Sequence, residues 1–177
     1  MPELLQSLLK QDIGHLRIIA EFWGVELESI AADEAREELS ASLLDAELIA
    51  ELVDSLSPQA ESALRALVTA EGRIPWPAFT RKYGDIREMG AARRDRDRPH
   101  LKPASTAESL YYLGLLARAF FDDDKGPQEF AYIPDDLLEQ LYNVFDDEPA
   151  EPVVVQEPIP VGEALRTEAL GRPASPV

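Results

Sequence analysis

A mainly α fold with one small β-ribbon is predicted by three observations. Apolar residues recur at helical spacing through most of the chain up to Phe145. Helix-starting and helix-stopping residues bracket those runs at short intervals. Only Ile74-Pro75-Trp76 and Phe130-Ala131-Tyr132-Ile133 read as extended, the first because a residue before proline is pushed out of the α region.

Taken in order, Pro2 to Leu56 reads as a packed set of short helices. Ile13, Leu16, Ala20 and Trp23 share one helical face behind Asp12, whose carboxylate suits an N-cap, and Gly24 closes that helix. Asp33 is expected to cap the next helix. Leu44, Leu48, Ile49, Leu52, Val53 and Leu56 stripe another. Ser57-Pro58 restarts the chain with a cap and a first-turn proline, and Ala60, Ala63, Leu64, Leu67 and Val68 mark the buried face up to Gly72. Pro77 opens a short helix bearing Phe79 and Tyr83, closed by Gly84. Asp85 to Ala104 has no period and reads as a long loop.

Ser105 and Glu108 form a capping-box pattern ahead of an expected helix from Thr106 to Phe121. Asp122 to Pro127 is turn chemistry, Phe130 to Ile133 a strand, and Asp135 starts a last helix with Leu137, Leu138, Leu141 and Tyr142. From Pro58 onward, this sequence of helix, strand, helix, helix, turn and strand is the order of a winged-helix domain. The expected architecture is therefore an acidic helical bundle at 1–56 packed on a winged-helix-like domain at 57–145. A proline-rich, disordered tail is expected at 146–177.

Composition narrows the function. The chain has 177 residues, a formal net charge of −17 and no cysteine. Disulfides, thiolate metal sites and cysteine nucleophiles are excluded, and the composition fits a cytoplasmic protein. No run of apolar residues is long enough to span a membrane, and the N-terminal residues lack the pattern of a secretory leader. The only histidines, His15 and His100, lack metal-binding spacing, and no phosphate loop, nucleophile elbow or nucleotide fingerprint occurs. No enzyme, cofactor, metal site or small-molecule substrate is expected.

One region reverses the overall charge. From Arg73 to Lys102 there are nine lysines and arginines against four carboxylates, about +5 locally. Arg81, Lys82, Arg87, Arg93, Arg94, Arg96 and Arg98 are the candidate phosphate contacts. The competing reading is that alternating arginine and aspartate simply solvate a loop, or that the arginines pair with the anionic N-terminal helices, since thirteen carboxylates crowd Pro2 to Leu56. The helix expected at Thr106 would sit where a winged helix keeps its recognition helix. Yet Leu110, Tyr111, Tyr112, Leu113, Leu115, Leu116, Phe120 and Phe121 make it apolar nearly all round, which predicts burial in the core or under a partner protein. Trp23, Trp76, Phe79 and Tyr83 are expected in the core, with the proline-flanked Trp76 the best candidate for exposure.

GRIPWPAFTRKYGDIREMG, the run Pro103 to Leu115, and FAYIPDDLLEQL together resemble the helicase-associated N-terminal region of bacterial XPB-like DNA helicases. The resemblance spans roughly Met1 to Leu141 and rests on apolar, glycine and proline positions. It implies a winged-helix-like fold and a helicase or nucleic-acid setting, with DNA, a helicase or another protein as partner. No motor motif G-x-x-x-x-G-K-[ST] is present. Two functions follow: a non-catalytic module binding DNA weakly through the basic loop in DNA processing or transcription, or a protein–protein adaptor that leaves nucleic acid alone.

Overall fold

The computed structural model describes residues 1–146. Helices α1 (Leu4–Ser7), α2 (Ile13–Trp23), α3 (Ala32–Leu43) and α4 (Ala46–Asp54) form the first part. There follow α5 (Pro58–Thr69), β1 (Arg73–Pro75), α6 (Trp76–Tyr83), α7 (Ala91–Asp97) and α8 (Thr106–Tyr112). Strands β2 (Ala117–Asp123) and β3 (Gly126–Tyr132) make a hairpin, and α9 (Asp135–Asp146) ends the described chain. The protein is mainly α with a small antiparallel sheet of order β1-β3-β2. The tail expected at 146–177 lies outside the described residues apart from Asp146.

Local chemistry accounts for most helix starts. The Asp12 carboxylate accepts from Gly14 N, Asp45 accepts from Glu47 N and Leu48 N, and Ser57 Oγ accepts from Ala60 N. Each side chain satisfies donors that a helix N-terminus leaves unpaired. The cap expected at Asp33 falls instead at Ala31, and Asp33 joins the first turn of α3 to pair with Arg36.

Residues on both sides of Ser57 build one core. Leu4, Leu16, Leu39, Leu43 and Ile49 are fully enclosed together with Leu64, Leu67, Phe79, Leu110, Leu115 and Ile133. Each such aliphatic side chain contributes roughly 1.5–3 kcal/mol on burial. Trp76 is buried like Phe79, and the Arg118 guanidinium covers its ring at 4.3 Å. The start of the chain is tied to α9: Leu4 N donates to Asp136 Oδ1 at 2.8 Å and Asp135 N to Pro2 O at 3.0 Å.

Three expected elements differ. The helix from Thr106 to Phe121 stops at Tyr112. Gly114 has φ +77°, a conformation that costs glycine nothing, and it turns the chain into β2. Residues Ala117 to Asp123 then pair with β3, from Ala117 opposite Tyr132 to Asp123 opposite Gly126. Non-local pairing overrides a run that is apolar enough for either state. Conversely, the loop expected at Asp85 to Ala104 contains α7, whose seven residues include three arginines. The strand expected at Phe130 begins earlier, at Gly126.

Candidate functional site

The seven candidate cations divide into two sets. Arg94, on α7, is 4% exposed. Its guanidinium forks onto the Asp12 carboxylate, with Nη2 to Oδ2 at 2.8 Å, and also reaches Asp95 at 2.8 Å. The approach requires Gly14, because a Cβ there would overlap the Arg94 guanidinium. Asp12 thus caps α2 and anchors a segment eighty-two residues further along the chain. The hydrogen bonds from Arg94, against the opposing pull of partial burial, hold the Asp12 carboxyl down at about 2.

Arg87 donates through Nε and Nη2 to the Glu108 carboxylate at 3.1 and 2.7 Å. Glu108 is 0% exposed and also accepts from Arg87 N at 2.9 Å and Ala104 N at 2.8 Å. Burial pushes its carboxyl up, but the Arg87 and Ala104 hydrogen bonds outweigh this, and it lies below the ordinary value. The capping box predicted at Ser105 is half realised: Ser105 Oγ accepts from Glu108 N, while the Glu108 side chain turns to the preceding segment. Arg93 and Arg96 share Asp97 at 3.1 and 3.3 Å on the exposed side of α7.

Arg81, Lys82 and Arg98 form the second set. They are exposed and have no ion-pairing carboxylate among the described residues. Arg81 and Lys82 lie in the last turn of α6, where cations oppose the partial negative charge of the helix end. Arg98 ends α7 in the left-handed region. The structure does not gather all seven onto one face toward a ligand; four are turned to carboxylates of the same chain.

Helix α8 is enclosed. None of its residues, Thr106 to Tyr112, is exposed. From the side of α2, Trp23 Nε1 donates to the Leu113 carbonyl at 2.7 Å. The His15 ring meets Tyr111 edge-on at 4.9 Å and Tyr112 at 5.2 Å. Burial first, and the nearby positive charge of Arg94 second, lower the His15 pKa to about 4, so its ring is neutral near pH 7.

A groove of about 1020 Å³ opens between the α1–α2 region, the segment around Met89 and strand β2. Leu9 and Phe120, at 57% and 68% exposure, line it together with Tyr111 and Ala119. Sequence reasoning did not single out β2, Glu108 or the Asp12–Arg94 pair as site features. The available signal for β2 was the period-two alternation of Arg118, Phe120 and Asp122 with Ala117, Ala119 and Phe121. For the ion pairs no local signal exists.

Among the described residues no group of histidines and carboxylates could hold a metal ion, and no helix is long and apolar enough to cross a membrane. Set against known protein families, curated proteins and solved structures, the chain matches none of them.

Proposed function

We propose that residues 1–146 are a non-catalytic protein-interaction module of winged-helix-like architecture that contacts protein rather than DNA. The carrying observation is the enclosure of α8. In a winged helix this third helix is the one that enters a DNA groove, and a groove-reading helix needs exposed polar side chains. Here it exposes none. The architectural half of the reading is supported by the succession α5, β1, α6, α7, α8, β2, β3, in which the short α7 is an insertion before the helix in third place, with sheet order β1-β3-β2. The choice of protein over DNA is supported further by the pairing of Arg87, Arg93, Arg94 and Arg96 within the chain. The net charge of −17 repels polyanions as well. The DNA-processing or transcription setting rests on the resemblance to helicase-associated regions.

The alternative is weak, sequence-tolerant DNA binding. It is favoured by one observation: Arg81, Lys82 and Arg98 stay exposed without an ion-pairing carboxylate among the described residues. A mobility-shift titration with duplex and single-stranded DNA decides, run near 0.01 M and near 0.15 M salt, where screening lengths are about 30 and 8 Å. No shift at either salt is the expected result. A low-salt shift abolished by Arg81→Ala, Lys82→Ala and Arg98→Ala together, with the melt unchanged, would overturn the adaptor reading. Arg94→Ala does not serve this test, because Arg94 holds α7 against α2.

A further inference from the structure

We infer that the outer edge of β2 is a docking site for an extended segment of a partner protein, which adds to the sheet as a fourth strand. The inference rests on the protein-contact reading above and names the surface and the kind of partner. Strand β2 is the last in the order β1-β3-β2, and among the described residues only β3 pairs with it. Every second residue of an edge strand directs its N–H and C=O away from its one neighbour, a template for another strand. Edges are ordinarily blunted by proline, lysine or a bulge. β2, Ala-Arg-Ala-Phe-Phe-Asp-Asp, has no proline or lysine, and its one cation, Arg118, is drawn onto Glu129 of β3 at 2.8 Å.

The surroundings fit a strand better than a globular face. The part of β2 from Ala117 to Phe120 lines the groove, together with Leu9, Lys10 and Met89 and with Glu129 and Tyr132 of β3. A globular face, such as that of a second copy of the chain, needs a broad open surface, whereas an extended segment needs only the roughly 4.8 Å spacing of one more strand. Such strand addition draws affinity from main-chain hydrogen bonds and selectivity from alternate side chains. Phe120 and Leu9 are the apolar contacts available to those side chains.

Charge selects the flank of the partner. Beyond the groove, β2 runs into Asp122, Asp123 and Asp124, answered only by Lys125. The partner segment therefore has alternating apolar residues in its middle and lysine or arginine where it passes this acidic tip. A chain at −17 attracts such a segment at long range as well.

The test pans a phage-displayed library of random dodecapeptides against the full chain and measures synthetic versions of the enriched peptides by fluorescence anisotropy. Enrichment of alternating apolar sequences with a basic flank is expected. Their affinity should fall at least tenfold with Phe120→Asp or with a proline at the peptide centre, and severalfold with Asp122→Lys plus Asp124→Lys. Phe120→Thr, which keeps strand preference and removes only the ring, guards against a folding artefact. No enrichment, or peptides indifferent to both Phe120 variants, would overturn the inference. So would a concentration-dependent dimer in sedimentation that Phe120→Asp dissolves, since the edge would then serve a second copy. A DNA shift in the earlier assay sinks the protein-contact reading itself; lack of peptide binding without such a shift sinks only the docking site.

Discussion

Residues 85–104 and the hairpin 117–132 invert what their compositions suggest. Six of the twenty residues in the first segment are lysine or arginine and four are carboxylates, yet Arg94 is 4% exposed and closes onto Asp12. The hairpin carries Phe120, Phe121, Phe130 and Tyr132, yet Phe120 stands 68% exposed. Charge can be enclosed when each donor and acceptor finds a partner, as Arg94 and Glu108 do. An aromatic ring stays outside when alternation puts its neighbours, not itself, against the sheet: Phe121 packs on Phe130 and Tyr132 at 5.8 and 5.4 Å. The lesson concerns partners, not polarity.

The largest test of the contrast is Glu108→Ala. It strips the acceptor from Arg87 N and Ala104 N at a position with no solvent exposure. Each of these part-buried hydrogen bonds to a charged carboxylate is worth about 1.5–3 kcal/mol, so a loss near 3–4 kcal/mol is expected in a urea melt. A loss under about 1 kcal/mol would mean that water replaces the carboxylate and the segment is not sealed.

Acid should open the same side in a separable step. The ordinary histidine value near 6.5 applies to the unfolded chain, whereas folded His15 sits at about 4. Between those values the unfolded chain binds more protons, so stability falls as pH drops from about 6.5 to 4. For this 3%-exposed ring the full drop is about 3 kcal/mol. Asp12 acts lower: its folded value is depressed from 3.8 to about 2, so its contribution is complete above 3.8 and is lost as pH falls through that range. The measurement is the difference between the native chain and His15→Phe, melted across pH 3 to 8. That difference cancels the relief of carboxylate repulsion common to both, and it should vary with pH above 4 and level off above 7.

Arg94→Ala comes next, at about 2 kcal/mol, the range for hydrogen bonds to a charged group. The Asp12 carboxylate left behind is half exposed and can rehydrate, which limits the cost. Gly14→Ala should lose a similar amount by pushing the guanidinium away, and combining the two should cost little more than either alone. Full additivity in the melts would break the link between the two residues.

Smallest of all, Phe120→Ser should shift stability by no more than about 0.5 kcal/mol, as exposed positions do. A loss above about 1.5 kcal/mol would show the ring to be packed after all, and would erase the contrast between the two segments.

Elements governed by neighbouring residues were legible in the chain itself. Asp12 before a periodic run, Gly24 after it, Ser57-Pro58, Gly84 and Asp135 act within a turn of the backbone: the helix at 13–23 begins and ends beside them, those at 58–69 and 135–146 begin beside them, and that at 76–83 ends beside one. The burial of Leu110, Tyr112, Leu113, Leu115 and Leu116 was legible in that apolar run, whereas Phe120 of the same run ends 68% exposed on β2, and α8 itself carries Thr106, Glu108 and Ser109. The same run could not reveal where it stops. Leu113-Gly114-Leu115-Leu116 suits a helix or a turn into a strand, and the choice depends on β3, whose pairing residues lie later in the chain. Pairing within the chain was foreseen as the competing reading, but which carboxylate each arginine meets was hidden: Asp12 and Arg94 are eighty-two residues apart and Arg87 and Glu108 twenty-one. Sequence alone determined that this chain carries a cationic segment, an apolar third helix and a set of well-capped helices, since those follow from local composition and period. Tertiary structure alone decided which carboxylates four of the arginines meet and that β2, the last strand of the sheet, lines a groove, because both depend on which distant segments the shared core brings together.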